Sequence, residues 1–313
     1  MKRIICLLLL ALPGLFMPTA YATEQRTLVF QPDARQRPVM SININGSETT
    51  ALLDTGATIG LIDDDFLPPS QSASLAVPNT RVLGIGGQRV YPVASLPRLT
   101  VGPTTWNQVR VAVNTENHFP IDHNILPISL FESAIVDFEF SQSRVHFYDG
   151  RPRRVRGAQV STVRYQEHDR LIYIPITING IRGHALIDTG ADVSFVNHAF
   201  AARSKAVRDM GQEEEMQGAD LRRNIAPIYA FRNLRFGQNR VAKFTIPVLE
   251  TELFSELGYQ DAPLMIMGMD LLTHFRLQVD RDRKRITFVH EGKTSRRREV
   301  RPQISRMNEI TVH

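Results

Sequence analysis

One passage of this chain is written twice. Ile44-Asn45-Gly46 followed by Ala51-Leu52-Leu53-Asp54-Thr55-Gly56-Ala57 returns as Ile178-Asn179-Gly180 and Ala185-Leu186-Ile187-Asp188-Thr189-Gly190-Ala191, 134 residues later at each position. The same offset carries Gly84 onto Gly218. It becomes 135 for Leu99 and Gly102 onto Leu234 and Gly237, and 141 for Ile125-Leu126-Pro127 onto Ile266-Met267-Gly268 and for Phe147 onto Phe288. A slow drift of this kind marks small loop insertions in a tandem duplication. The fold must therefore accommodate two similar halves, predicted at residues 23–150 and 159–290. Between them, residues 151–158 carry Pro152 with Arg151, Arg153, Arg154 and Arg156, and read as a basic, exposed linker.

The ends of the chain lie outside the repeat. Lys2 and Arg3, an apolar stretch from Ile4 to Phe16, and the small-x-small pattern Ala20-Tyr21-Ala22 are the three parts of a secretory signal, with cleavage expected after Ala22. The apolar stretch is shorter than the ~20 residues that span a bilayer, and Cys6 sits too near the start of the chain to accept a lipid. Cys6 is the only cysteine, so the exported chain would rely on its core and not on disulfides. A periplasmic or secreted location is expected. Removing Lys2 and Arg3 leaves 35 basic against 32 acidic residues, a balance that gives no indication of a nucleic-acid partner. At the other end, residues 291–313 hold Lys293, Arg296, Arg297, Arg298, Arg301 and Arg306, and are expected to form a disordered tail. Its charge also suits weak contact with an anionic membrane surface.

Within each half the pattern is one of short strands. Val39 to Ile44 alternates with period two and meets Asn45-Gly46, a strong hairpin signal, before Thr50 to Leu53. The second half repeats this with Tyr173 to Ile178, Asn179-Gly180 and His184 to Ile187. Each hairpin delivers the chain into Asp-Thr-Gly. Further strands are predicted at 81–83, 88–93, 107–113, 144–147, 242–248 and 285–289, with short helical turns at 127–131 and 269–274. The acidic run from Gln212 to Gln217 reads as a solvated surface segment. Asp63-Asp64-Asp65 lacks the alternating ligands and terminal Glu of a calcium loop, and is expected to be a turn or helix cap.

The chain resembles a retropepsin-type aspartic protease, with two retroviral-protease-like halves fused in tandem. Three features in order carry the resemblance across most of residues 37–290. They are the two Asp-Thr-Gly-Ala loops, a Gly-rich flap region at Val82-Leu83-Gly84-Ile85-Gly86-Gly87, and the apolar-apolar-Gly element Ile266-Met267-Gly268 before a short helix. Ala after Asp-Thr-Gly favours the retropepsin branch over the pepsin-like one. The resemblance implies an all-β, pseudo-twofold bilobal fold of two β-barrel halves with short helices, and an active site between them to which each contributes one Asp.

Two carboxylates sharing one proton can act on a peptide bond without metal or covalent intermediate, because like charges about 3 Å apart cannot both ionise and their pKa values split. Asp54 and Asp188 are the predicted catalytic pair. By resemblance, Thr55 and Thr189 would brace the two loops through hydroxyl-to-backbone hydrogen bonds. Gly56 and Gly190 would let backbone N–H groups approach the carboxylates where a Cβ would clash. Gly84, Ile85, Gly86 and Gly87 would form a mobile flap over the substrate, with Tyr91 a candidate lining residue and Gly218-Ala219-Asp220-Leu221 an altered second flap. Ile266, Met267 and Gly268 would pack beside the second Asp loop. The first half departs from this pattern: Pro127 stands at the place of Gly268 and Ser129 at that of Asp270.

Zinc, serine, nucleotide and thiol chemistries lack their minimal motifs, so neither metal nor cofactor is expected. The expected substrate is a protein or peptide of the cell envelope, cut by a monomer, since one chain supplies both aspartates. The alternative is a non-catalytic peptide-binding module on the same fold. The intact aspartates argue for the enzyme and Pro127 argues for the module.

Overall fold

Both halves open with a hairpin whose turn is dictated by its sequence. Pro38–Ile44 pairs antiparallel with Ser47–Asp54, and Leu171–Ile178 with Ile181–Ile187. The turn residues have positive φ throughout, at 54° and 98° for Asn45 and Gly46 and at 50° and 87° for Asn179 and Gly180, as a two-residue hairpin with right-handed strand twist requires. Each turn asparagine also holds its half together. Asn45 Nδ2 donates to the Phe66 carbonyl (3.0 Å) and its Oδ1 accepts from the Arg98 amide (3.0 Å). Asn179 does the same with the Ser204 carbonyl (3.0 Å) and the Arg232 amide (2.8 Å). The repeat seen in the sequence is thus a repeat of contacts.

The computed structural model describes residues 25–68, 79–84, 87–115, 123–217, 223–290 and 309–312. Three sheets account for nearly all of these: one of eight strands in the first half, one of nine in the second, and one of six shared between them. In each half the strand that ends at the aspartate lies in the sheet interior, paired in parallel with a later strand: Ser47–Asp54 with Asn124–Pro127, and Ile181–Ile187 with Leu264–Met267. Such strands are covered on both faces, which is why Ala51 to Leu53 and Ala185 to Ile187 are continuous apolar runs and not alternating ones. Among the described residues no helix is long and apolar enough to cross a membrane.

The shared sheet runs Arg26–Val29, Arg144–Tyr148, Ile135–Glu139, Arg276–Asp280, Arg285–His290 and Gln159–Arg164. The halves join where Ile135–Glu139 pairs with Arg276–Asp280, with Asp137 opposite Gln278. Asp137 is fully buried. Arg276 donates to both of its carboxylate oxygens (2.8 Å each), and Tyr148 and Gln278 donate to Oδ2 (3.1 Å each). A slip of one residue would strand this carboxylate in the interior, so the network fixes the register between the halves.

Several elements differ from the sequence expectation or were absent from it. The run Gln212 to Gln217 lies in the strand Val207–Gln217, which pairs antiparallel with Arg223–Phe236 in the place expected for the second flap. Met216, on the same face as Glu214, is buried, while Glu213 and Glu215 are exposed, so the solvated segment is one face of a strand. The helix His198–Arg203 was not predicted, although Asn197 caps it by accepting from the Phe200 amide (3.0 Å). Asp63 caps the 3-10 turn Asp64–Phe66 through the Asp65 amide (3.2 Å), as expected. Residues 1–24, which include the expected signal at 1–22, and most of the tail lie outside the described residues. Within the tail, Glu309–Val312 forms a strand on the edge of Asn239–Leu249, which its charge pattern did not indicate.

Candidate active site

The two Asp-Thr-Gly loops meet at the junction of the halves and interlock. Thr55 N donates to Thr189 Oγ1 (3.0 Å) and Thr189 N to Thr55 Oγ1 (2.9 Å). The hydroxyls donate onward across the junction, Thr55 to the Ile187 carbonyl (2.7 Å) and Thr189 to that of Leu53 (2.8 Å). Both threonines are buried, so the four bonds are shielded from water.

This interlock sets each aspartate against the opposite glycine. A Cβ on Gly56 would lie 2.7 Å from Asp188 Cγ, and one on Gly190 would lie 2.5 Å from Asp54 Oδ2. No side chain fits at either position. The amides at the same sites point at the carboxylates: Gly56 N donates to Asp54 Oδ1 (2.6 Å), and Gly190 N and Ala191 N donate to Asp188 Oδ1 (2.8 and 3.1 Å).

The pair is electrostatically uneven. Burial and the neighbouring Asp188 carboxylate push the Asp54 carboxyl well above the usual range, against the Gly56 amide and the Arg37 guanidinium. Asp188 is also pushed up by burial, but the Gly190 and Ala191 amides, a hydrogen bond from Asp54 and the charge of Arg37 hold it back. With two amides on Asp188 against one on Asp54, the ionised form is favoured at Asp188, and the two carboxyls titrate as a pair.

Arg37 was not singled out in the sequence. It is buried, and its guanidinium is gripped by Asp33, with Nε donating to Oδ2 (2.8 Å) and Nη2 at 2.7 Å from the same oxygen. Asp33 Oδ1 also accepts from the amides of Arg35 and Arg37 (2.9 Å each), which closes a compact turn ahead of the first hairpin. From that turn Arg35 reaches Asp192, just past the second Asp loop (3.4 Å). The spacing Asp33-x-x-x-Arg37 immediately before Pro38 was the available signal.

The residues expected to form the first flap lie on the hairpin of Asn79–Gly84 and Gly87–Val101, closed by the pair Gly84 and Gly87. Ile85 and Gly86 lie outside the described residues, as does the stretch 218–221 of the second hairpin. Tyr91 is buried against Leu61, Ala112 and Ile125, with Ala57 and Ile59 of the first Asp loop beside them. It links flap to loop.

Gly268 packs behind the second loop, where a Cβ would lie 2.8 Å from the Ala191 carbonyl. Its amide donates to Ser194 Oγ (2.9 Å), which donates to Asp270 Oδ1 (2.5 Å). Met269 N donates to the Ala191 carbonyl (2.8 Å). Burial raises the Asp270 carboxyl to about 6 despite its bonds from Ser194 and Leu271. Ile266 and Met267 are buried in the strand that supports Leu186 and Ile187. In the first half, Pro127 sits beside Asp54 in the same register, as the N-cap of the 3-10 turn Ile128–Leu130.

Two interlocked Asp-Thr-Gly loops at the base of an all-β, two-half fold define the class as an aspartyl protease. The family comparisons agree for each half: residues 40–130 match the aspartyl protease family and residues 174–274 the gag-polyprotein aspartyl protease family. The chain is a retropepsin-like tandem of two aspartyl protease domains, and its function is that of a peptide hydrolase. A comparison with curated proteins gave no match.

Proposed function

We propose that the chain is an exported endopeptidase that cuts extended segments of cell-envelope proteins, with a water activated between Asp54 and Asp188. The observation that carries this reading is the reciprocal placement of each carboxylate against the other loop's glycine, which puts a buried Asp54 and a half-buried Asp188 in one site with unequal surroundings. A peptide would lie between the flap hairpins and the loops. Asp188, ionised, takes a proton from water as the oxygen attacks the scissile carbonyl carbon. Asp54 gives its proton to the carbonyl oxygen, forming a gem-diol. Return of a proton to the amide nitrogen and collapse of the gem-diol break the C–N bond and restore the shared proton.

Residues 26–29 form an edge strand of the shared sheet, and residues 33–37 supply the Asp33–Arg37 turn. This favours a structural role for the segment following the signal over that of a removable inhibitor. Pro127, the feature that argued for a binding module, is matched by a Gly at position 60 with no hydroxyl for a backbone N–H to reach, so the loss of the donor leaves no orphaned acceptor.

The test is digestion of a mixed library of unfolded peptides from pH 4 to 7 by the purified protein and by Asp54→Asn and Asp188→Asn, read by mass spectrometry. Cutting that disappears in both variants supports the shared pair. Cutting that survives in either refutes it, and peptide binding without cutting at any pH indicates the binding module. Export is tested separately, by cell fractionation and by N-terminal sequencing for a chain beginning at Thr23.

A further inference from the structure

The linker between the halves does not hang free. It folds back along the shared sheet, where Gln278 Nε2 donates to the Arg153 carbonyl (3.2 Å) and Arg283 Nη1 to that of Gly150 (2.8 Å). Between linker and sheet lies a groove of about 660 Å³, within the range that holds small ligands or short peptides. None of its lining residues belongs to the Asp loops or the flaps. Five arginines line it: Arg151, Arg153, Arg154, Arg283 and Arg285. Its only acidic residue, Asp280, is buried and already bonded to Arg283 (3.0 Å). Arg153 lies over the Tyr148 ring, 4.6 Å from its centroid. Arg151, Arg154 and Arg285 are exposed and have no carboxylate partner among the described residues.

We propose that this groove is a second binding site, for a short, extended, acidic peptide segment. Five arginines against one carboxylate, which is paired to Arg283, leave a net positive charge in one concavity and focus a positive potential into it, which an anionic ligand relieves. The cations are arginines without a single lysine, and their planar forks suit bidentate capture of carboxylates. Val155 and Val160 add apolar surface, and Val160 is 45% exposed. An ordinary inorganic anion would leave these valines uncovered, and a flat bilayer cannot enter a concavity. An extended chain with acidic and apolar side chains on alternating faces satisfies both sets of residues at once.

The test is fluorescence anisotropy of labelled Glu-Val-Glu-Val-Glu-Val with the full protein, beside a Lys-Val hexapeptide, inorganic phosphate as competitor and phosphatidylglycerol vesicles. Saturable binding of the acidic peptide is expected, weakening as salt is added. Affinity should fall tenfold or more in Arg154→Glu/Arg285→Glu and several-fold in Val160→Ser. All three positions are exposed, and thermal unfolding checks that the variants fold. No binding would overturn the proposal. So would binding unchanged in the arginine variant, which would place the peptide in the cleft between the halves. Equal binding of the Lys-Val peptide, displacement by phosphate with Val160→Ser unchanged, or capture of vesicles in place of peptide would each overturn it as well.

Discussion

Thr189→Val is the sharpest probe of how the two halves are held at the site. Valine has nearly the shape of threonine, so the change removes a hydroxyl and little else. That hydroxyl accepts from Thr55 N at 3.0 Å and donates to the Leu53 carbonyl at 2.8 Å, in a position with no solvent exposure. Without it, the buried Thr55 amide loses its partner and the Leu53 carbonyl loses a donor. Each such orphan costs about 1–3 kcal/mol, and the added methyl recovers part of that, so a net loss of about 2–4 kcal/mol is expected. In a cooperative unit of this size that corresponds to a fall in Tm of about 5–10 °C. Thr55→Val should cost a similar amount, because Thr55 makes the mirror pair of bonds at 2.9 and 2.7 Å. Urea unfolding and thermal scans measure both, and Thr189→Ser is the control: it keeps the hydroxyl and sacrifices only a methyl. Two results would refute the reasoning. One is a Thr189→Val protein within about 0.5 kcal/mol of the parent. The other is a Ser variant as damaged as the Val variant, which would mean that packing and not hydrogen bonding joins the loops.

Arg37→Gln should move the alkaline limb of the pH–rate profile upward, because the Arg37 charge lowers the proton affinity of both aspartates; an unchanged or lowered limb would contradict this. Gly190→Ala should cut kcat by about a hundredfold or more by displacing Asp54, with stopped assays on a peptide substrate as the readout. Asp270 has a raised folded-state pKa, so its contribution to stability is complete below about 3.8 and is lost as pH rises through about 6. Asp270→Asn should therefore remove about 2–3 kcal/mol of the decline in stability between pH 4 and 7, measured by urea unfolding at both pH values.

The hairpins and the aspartates were legible because their chemistry is local. Asn45-Gly46 and Asn179-Gly180 leave few alternatives to a tight turn, and the doubling of Asp-Thr-Gly-Ala points to a site shared between copies. The sheet that joins the copies was not legible. Its central pair, Ile135–Glu139 and Arg276–Asp280, is ordered by a contact between Asp137 and Arg276, 139 residues apart, and nothing near either residue announces the other. The second flap hairpin was concealed for a different reason: Glu213, Glu214 and Glu215 look like a solvated run unless Met216 is seen to turn its face inward. Arg37 was overlooked because a charged residue before a strand is ordinarily exposed; its burial depends on Asp33, and its importance on a carboxylate pair that only folding brings near.

The differences between the halves are concerted and not a scatter of losses. Behind the second Asp loop, the Gly268 amide, the Ser194 hydroxyl and the Asp270 carboxylate form a chain of hydrogen bonds. At the matching positions of the first half stand Pro127, Gly60 and Ser129. Proline has no N–H to donate and glycine no hydroxyl to receive it, so the donor and its acceptor are missing together. Ser129 Oγ, the remnant of the third member, is buried without a partner. In place of that internal brace, the first half is held from outside. Arg281, on the second half, donates from Nη2 to the Ile128 carbonyl (2.8 Å) and from Nη1 to that of Phe131 (2.5 Å), and its own amide donates to Ala134 (2.8 Å). The residue at the matching place in the first half is Phe140, which packs on Phe30 and Phe138 and offers no such bonds in return. The second half thus carries its own support and lends support to the first. Such one-way dependence is open to a chain in which the two copies are covalently joined and free to diverge. Two identical chains related by a true twofold axis would have to make every such contact twice.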